Sequence, residues 1–498
     1  MRLFIITLSL MCFGQTLAQG AFYYSHIQPY SNHPFSIAES NCGFLIAGRN
    51  SVQGGESNGF LMKIDNQGNV IWDKIVSAPE PDKYEDYRAA VYHNGYYYVG
   101  GYRRIEGNQQ NLIIKVNPVN GNIVEEYFFG NSQVLANDNL IGDIAINTDG
   151  LVVATSGFDS ISQSTVAELI QIDFQANVLW KKKYSADLNA SHFSDRMTKI
   201  EPMDDGFLLT MHSLDVPVWQ TNHFIIRTDM NGNEIWRKNM RDYQSSSTGS
   251  DTLLWFADAT PFKKKNVIAH FVIDNITDST YTQNIVVVEF DENGNEIFYI
   301  KYPEEVEGIG PSDIFSDNDN NIYILGRQEV SPPYYSQLYA AKLNSEKEFL
   351  WKNHYGEKDI AELYFCSTLT SDGGVLIGGR DQHFHFGTPY FNSILVKTDC
   401  EGSTEWNYES CMSTDLDEVN IFPNPFSNHI NIHLPDIPEK SIIKIKLYDT
   451  MGKLVDNLVY QDADIIQIKT NKYAKGFYHC IIEVNGSVMA NKKIVKVE

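Results

Sequence analysis

The 498-residue chain has only six cysteines, no Cys-x-x-Cys pair and no cysteine–histidine spacing of the kind that grips zinc, so no structural zinc site is written into it. It lacks His-Glu-x-x-His and a glycine-rich phosphate loop, which removes two common hydrolase chemistries from first consideration. Positive charge is short as well: the formal net charge is −24. Residues 413–498 hold 10 Lys/Arg against 11 Asp/Glu, so nearly all the excess acid precedes them. Such a surface offers no basic footprint to nucleic acid or to an anionic membrane. Beyond residue 18 no stretch approaches the roughly 18 apolar residues a spanning helix needs. Helical periodicity is missing throughout.

The first residues are of a different kind. Arg2 precedes the apolar run LFIITLSLMCFG (Leu3–Gly14), and small or tolerated residues lead to a cut after Ala18. This reads as a secretory signal peptide over residues 1–18, and the mature chain is expected to be soluble and exported. Five cysteines then remain: Cys42, Cys366, Cys400, Cys411 and Cys480. Cys400 and Cys411 flank one expected hairpin, and export permits a disulfide there, with about 2–3 kcal/mol of stabilisation in the chain-entropy model. The odd number leaves the pairing of the other three open.

What the sequence does have is repetition. FLMKIDNQGNVIW, ending at Trp72, returns as FIIRTDMNGNEIW, ending at Trp236, with fainter copies ending at Glu125, Trp180, Phe298, Trp351 and Trp406. A near-constant period of this length marks a repeated supersecondary unit. The β-branched run suits a strand, and Asn231–Gly232 or Asn293–Gly294 takes positive φ cheaply and reverses the chain. Asp65, Asp229 and Asp291 are placed to accept hydrogen bonds from the turn amides. The terminal aromatic ring is expected between adjacent units. The turn lacks the spaced oxygen ligands of a calcium loop. Upstream of each copy lies a second strand pair, such as SNCGFLIAG (Ser40–Gly48) or SDGGVLIGG (Ser371–Gly379); in the fifth unit KKKNVIAHF (Lys263–Phe271) is a weaker version.

Two hairpins per unit make a four-stranded antiparallel sheet, and seven such sheets predict an all-β fold, a seven-bladed β-propeller over residues 19–412. A linear solenoid would leave end repeats needing caps. AFYYSHI (Ala21–Ile27) reads as an eighth outer strand that either completes the last blade or lies outside the ring.

A polar stretch at 413–418 reads as a linker. Beyond it stand NIFPNPF (Asn420–Phe426), IKLYDTMGKLV (Ile445–Val455), KGFYHCIIEV (Lys475–Val484) and NKKIVKVE (Asn491–Glu498). These four ordered blocks resemble the C-terminal sorting domain of type A cargo of the type IX secretion system of Bacteroidetes. The matching positions are Pro423, Asn424 and Pro425, then Asp449, Gly452 and Lys453, then Gly476 and Tyr478; Phe422 departs from the family's usual tyrosine. The resemblance implies a small immunoglobulin-like β-sandwich over residues 419–498. It also implies recognition by an outer-membrane translocon, removal by a sortase-like peptidase, and a secreted or outer-membrane-surface location.

Catalytic signals are weak. GESNG (Gly55–Gly59) matches G-x-S-x-G but lies between antiparallel strands, without the strand-to-helix turn that a nucleophile elbow needs. His383 and His385 lack a third metal ligand. A faint resemblance to quinoprotein dehydrogenase propellers fails on blade number and on the absent adjacent cysteine pair. Five aspartates, Asp86, Asp143, Asp195, Asp258 and Asp313, stand near the starts of expected inner strands. They would form an acidic ring at one channel mouth, suited to Ca²⁺ or a cationic ligand, unless they are ordinary turn caps. No other cofactor is expected. Tyrosine-rich stretches (Gly95–Arg103, Pro332–Tyr339) either stack sugars or pack the core. The functional expectation is an exported binding module for glycan, peptide or surface protein; the alternative is a secreted hydrolase with a site built from propeller loops.

Overall fold

The computed structural model describes residues 21–497 except for 27–30, 41, 52–56, 78–83, 106–107, 130–139, 160–163, 187–192, 216–219, 244–251, 277–280, 303–308, 311–312, 332–334, 357–360, 384–389, 405–419, 425, 435–440, 450–452, 462–464 and 485–486. The chain divides into two compact units, residues 18–407 and a second unit of residues 408–498 with 1–17.

The larger unit is a seven-bladed propeller. Blade 1 pairs Ser31–Ser40, Gly43–Ser51, Ser57–Ile64 and Val70–Val76 in that order, each antiparallel to the next. The inner strands of blades 2 to 7 are Glu85–His93, Leu140–Ile146, Phe193–Met203, Thr252–Phe262, Ile314–Ser316 and Ala361–Leu369. The fifth blade is complete: Thr252–Phe262 and Asn266–Ile276 pair along their full length despite the weak sequence signal.

Apolar residues on both faces of each sheet are buried against its neighbours. One cluster joins Leu45 and Leu61 to Tyr97 and Leu112, blade 1 to blade 2. Equivalent clusters follow at every later boundary. The last, with Ile37, Phe44 and Phe60 packed on Leu376 and Leu395, joins blade 7 to blade 1 and closes the ring. Serines add polar ties between blades: Ser57 Oγ donates to the Glu85 carbonyl at 3.3 Å and Ser336 Oγ to that of Glu362 at 2.6 Å. The serine of the G-x-S-x-G match is therefore a buried structural group.

The recurring turn is built as expected. Asp229 Oδ1 accepts the amides of Asn231 and Asn233 at 2.8 Å each, and Asp65 and Asp291 repeat the arrangement. The tryptophans that end four of the phrases, Trp72, Trp180, Trp236 and Trp351, lie over the turn glycine of the following blade. A Cβ on Gly121 would come within 2.8 Å of Trp72, and one on Gly294 within 2.9 Å of Trp236. Trp72 and Trp236 donate their indole N–H to the Pro118 and Glu292 carbonyls at 3.0 and 3.1 Å.

Blade 7 departs from the pattern. The strand Tyr390–Lys397 takes Phe22–His26 as its outer neighbour, antiparallel, with Phe22 opposite Lys397 and His26 opposite Ser393. Phe22 lies 2.9 Å from a Cβ built on Gly68, the place that tryptophans hold on other blades. AFYYSHI is thus the clasp of the ring. Phe22–His26 holds the edge expected for the strand after Cys400; residues 405–411, with Trp406 and Cys411, lie outside the described residues, as does Ala18.

The smaller unit is a two-sheet sandwich. Asn420–Phe422, His429–His433 and Ile465–Lys469 form one sheet; Leu454–Gln461, Ile442–Asp449, Gly476–Val484 and Ser487–Lys496 form the other. Their inner faces share one core with Ile430, Ile432, Ile445, Leu447, Ile468 and Cys480. Asn424 Oδ1 accepts the Val495 amide at 2.9 Å, and Phe426 exchanges backbone hydrogen bonds with Val495 and Val497. The opening motif is so fixed to the closing strand. Tyr478 is buried and donates to the Ala474 carbonyl at 2.6 Å, a bond that holds the corner leading into its strand. Pro423 and Lys453 are exposed, Gly476 holds φ at +150°, Asp449 ends its strand, and Pro425 and Gly452 lie outside the described residues.

Candidate functional site

The inner strands surround a central cavity of about 1100 Å³. Register shifts place an extra residue in these strands, at Phe35, Arg88, Gly142, Thr198 and Phe365 among others. A bulge kinks the strand and re-aims the inserted side chain, and all five of these residues line the cavity. The channel wall is therefore set by irregularities that no repeat count reveals.

The five aspartates stand in five different settings. Asp86 is fully buried, 2.8 Å from Arg88 and 3.7 Å from Arg49. Asp143 accepts the amides of Ile144 and, across the blade boundary, Ile200 at 2.8 and 3.1 Å. Asp195 accepts the Ala186 amide at 3.1 Å. Asp258 receives Lys199 Nζ at 2.7 Å and the Ile314 amide at 3.0 Å. Asp313 receives Tyr364 and Ser367 hydroxyls from blade 7 at 2.5 and 2.8 Å. Several are struts between blades. Among the described residues no group of three or more His, Cys, Asp or Glu is placed to hold a metal ion, so this set does not fit Ca²⁺.

Lys199 is the hub of the far wall. It reaches Asp258, Glu201 at 3.1 Å and the Ile314 carbonyl at 3.1 Å, linking blades 4, 5 and 6. Burial opposes its charge, but the carboxylates of Asp258, Glu201 and Asp313 outweigh that and hold its pKa above the ordinary lysine value. Burial raises Glu201 and Asp313 and pushes Asp143 up to about 7, against the two amides that favour its anion.

The near wall, where blades 7, 1 and 2 meet, is cationic and aromatic. Arg88 lies with its guanidinium carbon 3.9 Å from the Phe35 ring centre, and Arg49 approaches the same ring at 5.6 Å. Arg380 stands 5.5 Å from Phe365, whose ring meets Phe35 edge-on at 5.7 Å. His33 sits between, its Nδ1 3.3 Å from Arg380. Burial, and then Arg380, Arg49 and Arg88, push its pKa down to about 3, so it is neutral.

Sequence reasoning missed this group. Its signal is a Gly-Arg pair within the second strand of several blades: Gly48–Arg49, Gly326–Arg327 and Gly379–Arg380. Within the tyrosine-rich stretches Tyr97, Tyr98, Tyr102 and Tyr339 are buried and pack the core.

Fold and site together define a propeller with a polar, charged channel, followed by a separate immunoglobulin-like sandwich. The profile of the secretion system C-terminal sorting domain matches residues 420–497, so the second unit is that domain and is read by type IX secretion machinery. The chain is accordingly a secreted protein, extracellular or at the cell surface. No curated protein matches significantly.

Solved structures similar to the chain include a polysaccharide lyase, the PL25 ulvan lyase (10% identity, 79% of this chain and 98% of that one, TM-score 0.47). Others are Sqt1 of Chaetomium thermophilum (10%, 76% and 98%, 0.41) and a fungal alcohol oxidase of the AA5 family in complex with copper (11%, 96% and 98%, 0.41). At these scores none carries an argument about this chain.

Proposed function

We propose that the propeller is a binding module whose ligand, a glycan, a peptide or a segment of a surface protein, enters the central channel. The observation that supports this reading is the cavity of about 1100 Å³, slightly above the ordinary range for small-ligand sites and lined by aromatic and charged groups. The N-terminal eighteen residues act as a signal peptide cleaved after Ala18, and the sorting domain is removed by a sortase-like peptidase once a Bacteroidetes translocon has passed the chain. Residues 413–418 are the linker, and Cys400 and Cys411, which both precede it, form a disulfide.

The channel carboxylates favour binding over hydrolysis. A glycosidase needs two carboxyl groups free to act on substrate. Here Asp143, Asp258 and Asp313 are already committed to backbone amides, Lys199 or hydroxyls.

Thermal unfolding of the whole chain against a panel of glycans and peptides tests the proposal. A ligand at a hundredfold excess over its Kd adds ~2.7 kcal/mol of stability. Thr368 lines the cavity, and Thr368→Trp should abolish that shift. A shift left intact by this variant would place binding elsewhere, and released reducing sugar would establish the hydrolase instead.

A further inference from the structure

Four carboxylates on the far wall of the channel, those of Asp143, Glu201, Asp258 and Asp313, act on a single cation, Lys199. All five residues line the central cavity. Lys199 and Glu201 lie two apart on the inner strand of blade 4, so their side chains leave the same face. Asp258 comes from the inner strand of blade 5, and Asp313 stands just before that of blade 6. Lys199 directs its three donors to Asp258, Glu201 and the Ile314 carbonyl. The arginines of the cavity serve elsewhere: Arg88 meets Asp86 at 2.8 Å, and Arg196 stands opposite His212 in the register of blade 4.

Three of these carboxylates are tied at one oxygen and open at the other. Asp258 receives Lys199 and the Ile314 amide through Oδ2, while its Oδ1 is buried without a hydrogen-bond partner. Four carboxylate oxygens are in that state among the described residues, on Asp86, Asp195, Asp258 and Asp399, and of these residues Asp258 alone lines the cavity. Asp258 is 7% exposed, so bulk water does little for the orphaned oxygen. Glu201 meets Lys199 through Oε1, and Asp313 takes the Tyr364 and Ser367 hydroxyls through Oδ2, which leaves Oε2 and Oδ1 without a hydrogen bond. Burial raises Glu201 against the pull of Lys199, and Asp258 and Asp313 raise it further. By contrast Glu85 and Glu289, buried away from the cavity, have both oxygens bonded.

The open oxygens do not converge on a point. Among the described residues no three His, Cys, Asp or Glu are placed for a metal ion, and Lys199 Nζ already stands between Asp258 and Glu201. A group whose N–H donors spread over a plane can reach oxygens set round that lysine, and it brings the positive charge that the wall lacks. A guanidinium has this form, with five donors in a flat fork that matches carboxylates. We infer that Glu201, Asp258 and Asp313 form an acidic subsite of the channel that receives an arginine side chain of a peptide ligand. This rests on the channel being the binding site, and it narrows the ligand to an arginine-bearing peptide.

Calorimetric titration of the whole chain at low salt with the peptide acetyl-Ala-Arg-Ala-amide tests the subsite. The same peptide with citrulline is its neutral isostere, and the one with lysine carries a point charge. The arginine peptide should bind, and its affinity should fall as salt rises. The citrulline peptide should bind about tenfold more weakly or worse, and the lysine peptide more weakly than arginine. Glu201→Gln and Asp313→Asn should each weaken the arginine peptide about tenfold or more, while Glu346→Gln, in an exposed turn of blade 6, should leave it unchanged. The ion pair of Glu201 is with Lys199, which keeps Asp258 and the Ile314 carbonyl, so Glu201→Gln still reads the subsite if Asp313→Asn misfolds.

Failure of the arginine peptide to bind would overturn the inference, as would binding indifferent to both carboxylate variants or matched by citrulline. A lysine peptide that binds as tightly would overturn the guanidinium assignment. A glycan that raises the thermal midpoint of the parent but not of Thr368→Trp, with the arginine peptide silent, would overturn the subsite alone and leave the binding-module reading standing.

Discussion

At Gly294 the backbone holds φ at +78°, and the Trp236 ring lies against the open space where a side chain would begin. Gly294→Ala therefore meets two penalties, a left-handed conformation that L-residues resist and a ring 2.9 Å away. A loss of about 2–3 kcal/mol is expected, read as a lower denaturant midpoint with an unchanged slope. Asp143 gives a pH signature. Its folded pKa, about 7, stands above the ordinary 3.8, so the native chain retains a proton that the unfolded chain has released. Its contribution is complete below pH 4 and is lost as pH climbs towards 7. Because its carboxyl is partly open to the channel, the effect is smaller than full burial would give. The stability of Asp143→Asn relative to the parent should rise between pH 4 and pH 7 and level off above. Denaturant titrations at pH 4.5, 6 and 8 measure it, and a pH-independent difference would count against the raised value.

Single strands and turns divide into those the letters reveal and those they hide. Asn-Gly turns announce themselves because both residues accept positive φ. In blade 5 the turn between Thr252–Phe262 and Asn266–Ile276 is made by Lys263 and Lys264 at φ +45° and +65°, residues that give no turn signal. Replacing this pair by Asn-Gly should add about 1 kcal/mol, measured by the shift in thermal midpoint. The outer strands hide something else. Ile71, Leu179, Ile235, Ile297 and Leu350, each just before the ring position, are about half exposed, so their aliphatic character follows strand preference and not burial. Bulges are invisible in the same way: the sequence spaces Phe35, Arg88 and Phe365 like ordinary strand residues, and only the register shift turns them to the channel. The aspartates stand out by being acidic and periodic, while the arginines that approach Phe35 and Phe365 come from different strands of three blades.

At the scale of the whole molecule, the repeat count and the sorting blocks were readable because each blade repeats the same burial problem and the sandwich carries its own motifs. Ring closure was not, since a strand at one end of the chain bears no mark of its partner near the other. Removing residues 21–27 should strip the outer edge of blade 7 and expose Gly68 where Phe22 now lies. A loss of more than 3 kcal/mol is expected, with blade 7 amides around Tyr390–Lys397 exchanging first in hydrogen exchange. Phe22→Ala, which keeps the backbone pairing, should cost less, about 1–2 kcal/mol.

The clasp also sets a clock. Its two halves, Phe22–His26 and Tyr390–Lys397, lie at opposite ends of the propeller, so closure of the ring waits for the last blade and its rate carries the entropy of a loop that spans all seven. Until then the seventh blade offers an unpaired edge that any identical first strand fits. In a concentrated refolding mixture that strand can come from a neighbour, and two chains then lock as an exchanged pair. A slow, dilute return to the native state is the route that keeps each ring to itself.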